Sequence, residues 1–360
     1  MKEYDVIVVG AGPAGLGAAI EAAKAGARCL LLDENSSPGG QLFKQIHKFF
    51  GSKEHYAGTR GYAIGRDLLN AARAAGVDFR LDTKVWGIYP DGSVSATDGK
   101  TSVRYRGKAI VLATGASENA LSFPGCTLPG VITAGAAQTF VNIYNVLPGR
   151  RFVVVGSGNV GLIVSYQLMQ AGADVLAILE ALPQVSGYGV HAAKIKRAGV
   201  PILVCHTIVR ASGTDTLESV EIAQVDDRLC PIPGTEKTIP CDTVCLAVGL
   251  SPRIELAGVS GCKMAYSPAL GGVVPAHDEN MEATVENLFV AGDLAGIEEA
   301  STALDEGRMA GIRAAYKLGF LGRSAYEQKR QELVGRLDIL RSGPLGEKRR
   351  EAKEEIWRAM

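Results

Sequence analysis

Two glycine-rich segments carry the residues of this chain that are best suited to chemistry. The first, YDVIVVGAGPAGLGAAIEAAKAGARCLLLD, covers residues 4–33, and the second, RFVVVGSGNVGLIVSYQLMQAGADVLAILE, covers residues 151–180. Each reads as an apolar run, a G-x-G-x-x-G turn, a helix with apolar periodicity and a second apolar run that ends in an acid. Such a turn lets the backbone approach a pyrophosphate at a helix N-terminus. The chain is therefore predicted to bind two nucleotides, as a flavin enzyme does when it exchanges electrons with a second carrier.

The residues of the first segment have separable roles in this pattern. Gly10 is expected to permit the tight turn, Gly12 to let the backbone approach a pyrophosphate, and Gly15 to let the helix pack on the strand. Asp33 ends the second apolar run, where a carboxylate accepts hydrogen bonds from a ribose.

The second segment repeats the turn with one irregularity. Gly156, Gly158 and Gly161 complete the glycine pattern, but the acid falls one residue late, with Leu179 in its place and Glu180 after it. The stretch EALPQVSGYG has no Arg or Lys that could pair with a 2′-phosphate, so NAD is favoured over NADP. An adenine nucleotide with a structural role, or an empty site, is the alternative.

The remaining pattern indicates an α/β fold with two domains in 360 residues. An amphipathic helix is predicted at residues 66–75. A small antiparallel layer is predicted at residues 79–103 around the turn Pro90-Asp91-Gly92. Further strands are predicted at residues 202–209, 217–226, 243–248 and 287–293, and the last of these is followed by a helix.

Composition excludes several classes of function. The chain has 38 basic and 38 acidic residues, so its total charge favours neither nucleic acid nor an anionic membrane. No apolar run is long enough for a membrane span, and we expect a cytoplasmic protein. The seven cysteines are scattered without a C-x-x-C or C-x₄-C pair and are predicted to be inert core thiols, and no metal site is predicted.

Five motifs in order extend the two turns to a family resemblance. GAGPAG, IVLATGA, GSGNVG, TVCLAVG and NLFVAGD resemble the two-dinucleotide-binding-domain flavoproteins of the pyridine nucleotide–disulfide oxidoreductase superfamily, up to about residue 322. The resemblance implies two Rossmann-like three-layer domains, with the NAD-type domain inserted in the FAD domain. The implied boundaries are 1–120 and 270–322 for the FAD domain, 121–269 for the NAD(P)-type domain, and 323–360 for a helical tail.

The resemblance also assigns residues to each cofactor. It implies that the glycine-rich GGQ turn approaches the isoalloxazine, and that the helix after Asp293 directs its N-terminus at the flavin. The residues implied to contact FAD are Gly10, Gly12, Pro13, Ala14, Gly15, Asp33, Glu34, Gly40, Gln41, Thr114, Gly115, Gly292, Asp293 and Ala300. The residues implied to contact NAD(H) in the second site are Gly156, Gly158, Asn159, Gly161 and Glu180.

The loop at residues 39–61 contains the candidate catalytic side chains. Lys44, His47 and His55 lie in it, and a histidine near a flavin could donate a proton to the ring or to a substrate. The competing interpretation is a surface loop with ordinary polar residues.

Further stretches point to one branch of the superfamily. LLLDENSSPGGQLFKQ, PGVITAGAAQTFVN and AILEALP are similar to the nucleotide-binding subunits of sarcosine oxidase, opine and proline dehydrogenases and hydrogen cyanide synthase. This resemblance implies an electron-transfer subunit beside a second flavoprotein subunit that oxidises an amine or amino acid. Because no cysteine follows Cys262, an iron–sulfur relay would belong to a separate protein. The alternatives are a self-contained NAD(P)H-dependent flavin reductase and a non-catalytic nucleotide-binding subunit.

The final stretch, from about residue 323, is charged and helical in pattern. It carries an apolar stripe that consists of Leu333, Leu337, Leu340, Ile356 and Trp357. One interpretation is a pair of helices packed back on the FAD domain, and the other is a docking arm for a partner subunit.

Overall fold

The computed structural model describes residues 1–49, 51–358 and 360. The strands are β1 (Lys2–Val9), β2 (Cys29–Leu32), β3 (Asp78–Arg80), β4 (Lys84–Ile88), β5 (Ser93–Thr97), β6 (Ser102–Leu112), β7 (Ala116–Glu118), β8 (Val131–Thr133), β9 (Arg151–Val155), β10 (Asp174–Glu180), β11 (Ile202–Val204), β12 (His206–Ser212), β13 (Ser219–Gln224), β14 (Lys237–Pro240), β15 (Thr243–Leu246), β16 (Leu250–Pro252), β17 (Met264–Ser267), β18 (Gly272–Pro275) and β19 (Leu288–Val290). The helices are α1 (Pro13–Lys24), α2 (Gly61–Ala74), α3 (Ala134–Asn142), α4 (Asn159–Gln170), α5 (Gly189–Arg197), α6 (Glu255–Val259), α7 (Ala300–Lys317), α8 (Arg323–Leu340) and α9 (Gly343–Arg358).

The chain divides into two compact units. Unit 1 joins Met1–Ser117 to Ser251–Met360, and unit 2 is the inserted stretch Glu118–Leu250. The α/β class with parallel sheets agrees with the expectation from the sequence. Unit 1 resumes at Ser251, before the predicted boundary at residue 270, because α6 already contributes the buried Ala257 to the core of unit 1.

Unit 1 is built on a parallel sheet with aligned strand ends. β3, β2, β1 and β6 are adjacent in that order, and β19 pairs with β6. Val9 at the end of β1 pairs with Leu32 and with Leu112, and Leu112 pairs with Val290. These strands are apolar runs because the sheet is buried on both faces. The carboxyl ends of the strands therefore meet at one edge, where open α/β sheets bind their ligands.

The predicted antiparallel layer of unit 1 is confirmed. β4 and β5 form a hairpin, and β5 continues onto the first half of β6. The turn ends at Gly92, which has a φ of +76° and donates its N–H to the Tyr89 carbonyl. The predicted helix at residues 66–75 begins earlier than expected, since α2 covers Gly61–Ala74.

Small residues bring α7 directly against α1 in unit 1. A Cβ built on Gly307 would lie 1.9 Å from the Ala14 carbonyl oxygen, and one on Gly311 would lie 2.4 Å from that of Ala18. A Cβ on Gly17 would in turn lie 2.7 Å from the Leu304 carbonyl oxygen. Because glycines line the crossing, the two helix backbones approach closely. The start of α7 is thereby held beside the start of α1.

Unit 2 repeats the parallel architecture. Its sheet has the order β11-β10-β9-β15-β8, and a separate antiparallel layer has the order β12-β13-β14. Phe152, Val154, Leu162 and Ile178 are fully or almost fully buried in one of its cores. The strands predicted at residues 202–209, 217–226 and 243–248 correspond to β11 with β12, to β13 and to β15.

The C-terminal helices pack on unit 1. Leu333 and Leu337 of α8 are buried, and Ile356 of α9 lies in an apolar cluster with Leu270 and Val274. Three of the five residues of the apolar stripe are thus buried within unit 1, as the first interpretation of the tail requires, and Leu340 and Trp357 are partly buried. The docking-arm interpretation required exposed anchors, and Leu337 is not exposed.

In the part of the chain that the structure describes, no helix combines the length and the apolar character needed to span a bilayer.

Candidate functional site

The first glycine turn has the shape of a pyrophosphate cradle. Gly10 has a φ of +102°, and a Cβ built on it would lie 2.2 Å from the Ala113 carbonyl oxygen. A Cβ on Gly15 would lie 1.7 Å from the Gly10 carbonyl oxygen, whereas one on Gly12 would meet nothing within 4 Å. Gly12 is the N-cap of α1 and has no side-chain cap, and Pro13 follows it at the first helical position. The Ala14 and Gly15 N–H groups that follow belong to the first turn of a helix, which favours anions.

Asp33 stands beside this turn and is buried. One carboxylate oxygen accepts the Ala11 N–H at 2.6 Å, and the other accepts the backbone and side-chain N–H groups of Asn35, each at 2.8 Å. A carboxylate has about four lone-pair positions, so one remains for a ribose hydroxyl. The neighbouring Glu34 instead forms an exposed ion pair with Arg253 at 2.8 Å.

The GGQ segment folds onto the same turn. The Gly39 N–H donates to the Ala11 carbonyl at 2.7 Å, and a Cβ on Gly40 would lie 2.8 Å from the Gly12 Cα. Gly40 has a φ of +54° and begins a short 3₁₀ helix, Gly40–Lys44, in which Gln41 is exposed and Leu42 is buried. The predicted cofactor residues Gly12, Gly40 and Gln41 therefore lie close together.

The IVLATGA motif supplies a second wall of the site. The Thr114 hydroxyl donates to the Arg253 carbonyl at 2.8 Å, and the Arg253 N–H donates to the Gly115 carbonyl at 3.0 Å. Arg253 thus joins this motif to Glu34 at the end of β2. Nothing in the sequence marked Arg253, because it follows β16 far along the chain without a motif of its own.

The closing motif of unit 1 lies against the cradle. A Cβ on Gly292, which has a φ of +71°, would lie 2.8 Å from the Ala14 Cβ. Burial raises the pKa of Asp293 to about 7, and the carboxylates of Glu306, Glu299 and Glu298 contribute to the rise. Ala300 is the first residue of α7, whose N-cap Glu299 makes no side-chain capping bond.

The candidate catalytic side chains differ in their surroundings. Lys44 and His47 are partly buried, and the His47 ring stacks on Phe49 with a centroid distance of 5.7 Å. His55 is 3% exposed, with its Nδ1 3.0 Å from the Ser52 hydroxyl and its Nε2 3.5 Å from Asp305. Burial lowers the pKa of His55, although Asp305 opposes the shift. These contacts suit a residue that holds the loop on α7.

The second glycine turn reproduces the first. A Cβ on Gly156 would lie 2.3 Å from the Ala247 carbonyl oxygen, one on Gly161 would lie 2.1 Å from that of Gly156, and one on Gly158 would meet nothing within 4 Å. Gly158 is again an N-cap without a side-chain bond, and Asn159 follows it. The Asn159 amide oxygen accepts the Tyr188 N–H at 2.8 Å.

A β-bulge explains the late acid of the second unit. Val175 pairs with Phe152 and Ala177 pairs with Val153, which leaves Leu176 as an extra residue in β10. Beyond the bulge Leu179 pairs with Val155, just as Leu32 pairs with Val9 in unit 1. Glu180 therefore occupies the position of Asp33 despite its different count along the sequence.

Glu180 is buried, and its carboxylate accepts four hydrogen bonds. It accepts from the N–H and the hydroxyl of Ser157, from the Ser186 hydroxyl at 2.7 Å and from the Leu182 N–H at 3.0 Å. Burial raises the pKa of this carboxyl, but these hydrogen bonds outweigh burial and lower it below its ordinary value. Glu180 is thus ionised at neutral pH, and its four donors already occupy the roughly four lone-pair positions of the carboxylate.

The cysteines do not form a redox pair. Burial raises the pKa of Cys29 and Cys245 to about 12 and that of Cys241 and Cys262 to about 11. All seven thiols are free. Among the described residues, no group of three or more His, Cys, Asp or Glu side chains could hold a metal ion.

Comparison with known proteins agrees with this geometry. The family described as pyridine nucleotide-disulphide oxidoreductase matches residues 4–307. One opine oxidase subunit, from Rhizobium meliloti, is 32% identical over 89% of this chain and 72% of its own length. Hydrogen cyanide synthase subunit HcnB of Pseudomonas aeruginosa is 28% identical over 93% of this chain and 76% of its own length. Thioredoxin reductase of T. acidophilum has the same fold, with a TM-score of 0.74, 21% identity, and coverage of 88% of this chain and 99% of that one.

The two turns fit the cofactors of that family. Both leave open space at the middle glycine, both present an uncapped helix N-terminus, and both place an acid beside the turn. FAD and a pyridine nucleotide are the cofactors that membership implies.

Proposed function

We propose that this chain, which belongs to the pyridine nucleotide-disulphide oxidoreductase family, is the electron-transfer subunit of a multi-subunit amine or amino-acid dehydrogenase. The protein is an FAD-dependent oxidoreductase. Its similarity over most of both chains to a protein named as part of opine oxidase carries the proposal. The partners would be a separate iron–sulfur protein and a second flavoprotein subunit. The substrate of the complex would be a small amine or amino acid.

The cysteines support electron transfer without a disulfide. Disulfide exchange needs an accessible thiolate, and burial holds the pKa of four of the seven thiols at about 11 or 12. No two cysteines have the C-x-x-C spacing of a redox pair. Electrons would therefore leave the flavin for another carrier rather than for a disulfide of this chain.

Different residues of unit 1 would contact different parts of FAD. The turn at Gly12 would bind the pyrophosphate, Asp33 would bind the adenosine ribose, and Asp293 would bind the ribityl chain. Bound FAD supplies the reversible electron acceptance, for which side chains provide only position and electrostatics. His55, which is buried against Asp305, would hold the loop at residues 39–61 in place. Lys44 and His47 remain the candidates for proton transfer near the ring.

A second candidate function is a self-contained NAD(P)H-dependent flavin reductase. The complete second turn, with Glu180 brought into position by the bulge, favours a working nicotinamide site. Because Glu180 is ionised and no Arg or Lys follows it before Lys194, the site would prefer NADH to NADPH.

Anaerobic stopped-flow absorbance of the bound flavin separates these functions. If the chain is an electron-transfer subunit, NADH bleaches the flavin of the isolated chain slowly. In the complex co-purified from the native host, an amine or opine substrate bleaches it rapidly. Rapid bleaching of the isolated chain by NADH, abolished in Gly158→Val, would support the reductase. Flavin that neither donor reduces would point to a nucleotide-binding subunit without turnover.

A further inference from the structure

A buried ion-pair network joins the last helix of the chain to the closing motif of unit 1. Glu306 of α7 is 2% exposed, and one of its carboxylate oxygens accepts the Gly292 N–H at 3.0 Å. Its other oxygen lies 2.7 Å from the ammonium of Lys353, which is 0% exposed on α9. Lys353 thus reaches the backbone of the closing turn through a single carboxylate.

Arg341 completes the network from the end of α8. Its guanidinium contacts both carboxylate oxygens of Glu298 and, at 2.5 Å, the same Glu306 oxygen that faces Lys353. The two cations and the two carboxylates balance in formal charge. Because an unpaired buried charge is strongly unfavourable, the two tail cations stabilise the ionised form of Glu306 beneath Gly292.

Apolar packing fixes the position of Lys353. Its neighbour Ala352 and Ile356, one turn further on, lie in the apolar cluster with Leu270 and Val274. The Leu270 carbonyl accepts the Ile297 N–H at 3.0 Å, in the segment that leads from Asp293 to α7. Helix α9 therefore holds the closing segment on two sides, by packing at Leu270 and by charge at Glu306.

His277 is a neutral side chain beside this ion-pair network. It is 0% exposed, its Nδ1 donates to the Pro275 carbonyl at 2.9 Å, and burial and then the charge of Lys353 lower its pKa to about 3. Its Nε2 makes no hydrogen bond within the described residues. The ammonium of Lys353 therefore depends on Glu306 for its countercharge. This ion pair is the contact that links α9 to the Gly292 backbone.

We propose that Lys353 is a positioning residue for FAD: through Glu306 it holds the Gly292–Asp293 turn, so the C-terminal helices are an internal part of the FAD site. Loss of Lys353 would leave one net negative charge beside the turn that receives an anionic cofactor. Loss of the Glu306 charge would leave one net positive charge at the same place. The proposal concerns retention and electronics of FAD, so it stands whether or not the chain works as a subunit.

The test compares four variants of the full-length FAD-bound protein. Lys353→Met removes the buried cation, Glu306→Gln removes the buried anion but keeps an oxygen for Gly292, and the double variant removes both. Lys348→Met, an exposed lysine of the same helix, is the control. For each we measure the FAD dissociation rate, the midpoint potential of bound FAD, and the fold by circular dichroism.

The expected result is a dissociation rate at least tenfold faster in Lys353→Met and unchanged in Lys348→Met. The midpoint potential should fall in Lys353→Met, rise in Glu306→Gln and return toward the wild-type value in the double variant. A merely structural role would not give shifts of opposite sign. Equal behaviour of Lys353→Met and Lys348→Met, or shifts of the same sign in both single variants, would overturn the proposal. If Lys353→Met does not fold, Glu306→Gln and the double variant decide by the same comparison.

Discussion

The two glycine turns of this chain reach the same geometry by different means. In each, the first glycine donates its N–H to the strand that precedes the acid, Gly10 to Leu32 and Gly156 to Leu179, both at 2.8 Å. In both units a later backbone N–H also donates across the turn, and unit 1 adds the close approach of Gly40 to Gly12. In unit 2 side-chain hydrogen bonds are added to the backbone contacts instead.

Two side chains of the unit 2 turn form hydrogen bonds that have no counterpart in unit 1. Ser157 stands in the place of Ala11 and donates its hydroxyl to Glu180, and Asn159 stands in the place of Pro13 and accepts the Tyr188 N–H. Val160, the counterpart of the buried Ala14, is 41% exposed. Unit 1 is thus built around close contact with α7 and the GGQ turn. Unit 2 has a turn stabilised by its own loop.

The largest effect is expected at the middle glycine of each turn. A Cβ on Gly12 or on Gly158 would enter open space, so valine there should leave the fold intact and fill the volume that a phosphate needs. Gly12→Val should lose FAD completely and Gly158→Val should keep FAD but lose pyridine nucleotide binding. Flavin content after gel filtration and a nucleotide titration measure this. FAD retained in Gly12→Val would contradict the assignment of unit 1.

The next effect concerns acids whose pKa values shift in opposite directions in the two units. The pKa of Asp293 is raised from 3.8 to about 7, so its contribution to apoprotein stability is lost as pH rises between those values. The pKa of Glu180 is lowered, so its contribution is present above its ordinary value of 4.5 and is lost as pH falls through its lower folded value.

Asp293→Asn should therefore stabilise the apoprotein at pH 8 relative to wild type, and the difference should vanish near pH 4. At 1.36 kcal/mol per pKa unit the difference is on the order of 1–4 kcal/mol, since part of the charge remains solvated. Urea unfolding of both proteins from pH 4 to 8 measures it, with the exposed Asp227→Asn as control. A pH-independent difference would assign the effect to packing.

Smaller changes are expected from the two ribose-side acids. Asp33→Ala should weaken FAD binding, whereas Glu180→Ala should leave FAD bound and abolish the preference for NADH over NADPH. Each of these two substitutions leaves at least one buried donor unsatisfied, which lowers the free energy of unfolding by roughly 1–3 kcal/mol. Thermal unfolding and titrations with both nucleotides measure this. Ser186→Ala, which removes one donor to Glu180 but keeps the acid, should retain the preference.

The sequence predicted the parts of this molecule that depend on local pattern. The two glycine turns, the hairpin at Gly92 and the positions of the later strands follow from motifs and periodicity, and the structure has them. The ion pairs of Lys353 and Arg341 with Glu306 could not be predicted, because 35 or more residues separate the partners and buried charges resemble solvated ones in a sequence. The tail was ambiguous for the same reason.

The bulge at Leu176 shows why counting along a sequence failed at Glu180. The separation between the residue after the first glycine and the acid differs by one between the units, 22 from Ala11 to Asp33 and 23 from Ser157 to Glu180. A count cannot distinguish a misplaced acid from a strand that absorbs one residue. The paired registers on either side of Leu176 make that distinction.

The smallest expected effect is therefore that of deleting Leu176. The deletion removes the extra residue and gives β10 the spacing of β2, so Leu179 should stay opposite Val155 and Glu180 should stay beside Ser157. Only the partial burial of Leu176 is lost, which costs about 1 kcal/mol. Deleting Ile178 instead, which is 0% exposed beyond the bulge, shifts the register and turns every later side chain to the other face. Thermal unfolding and NADH titration should show near-native behaviour for the first deletion and loss of the unit 2 fold for the second. Equal damage from both would mean that the bulge is required rather than tolerated.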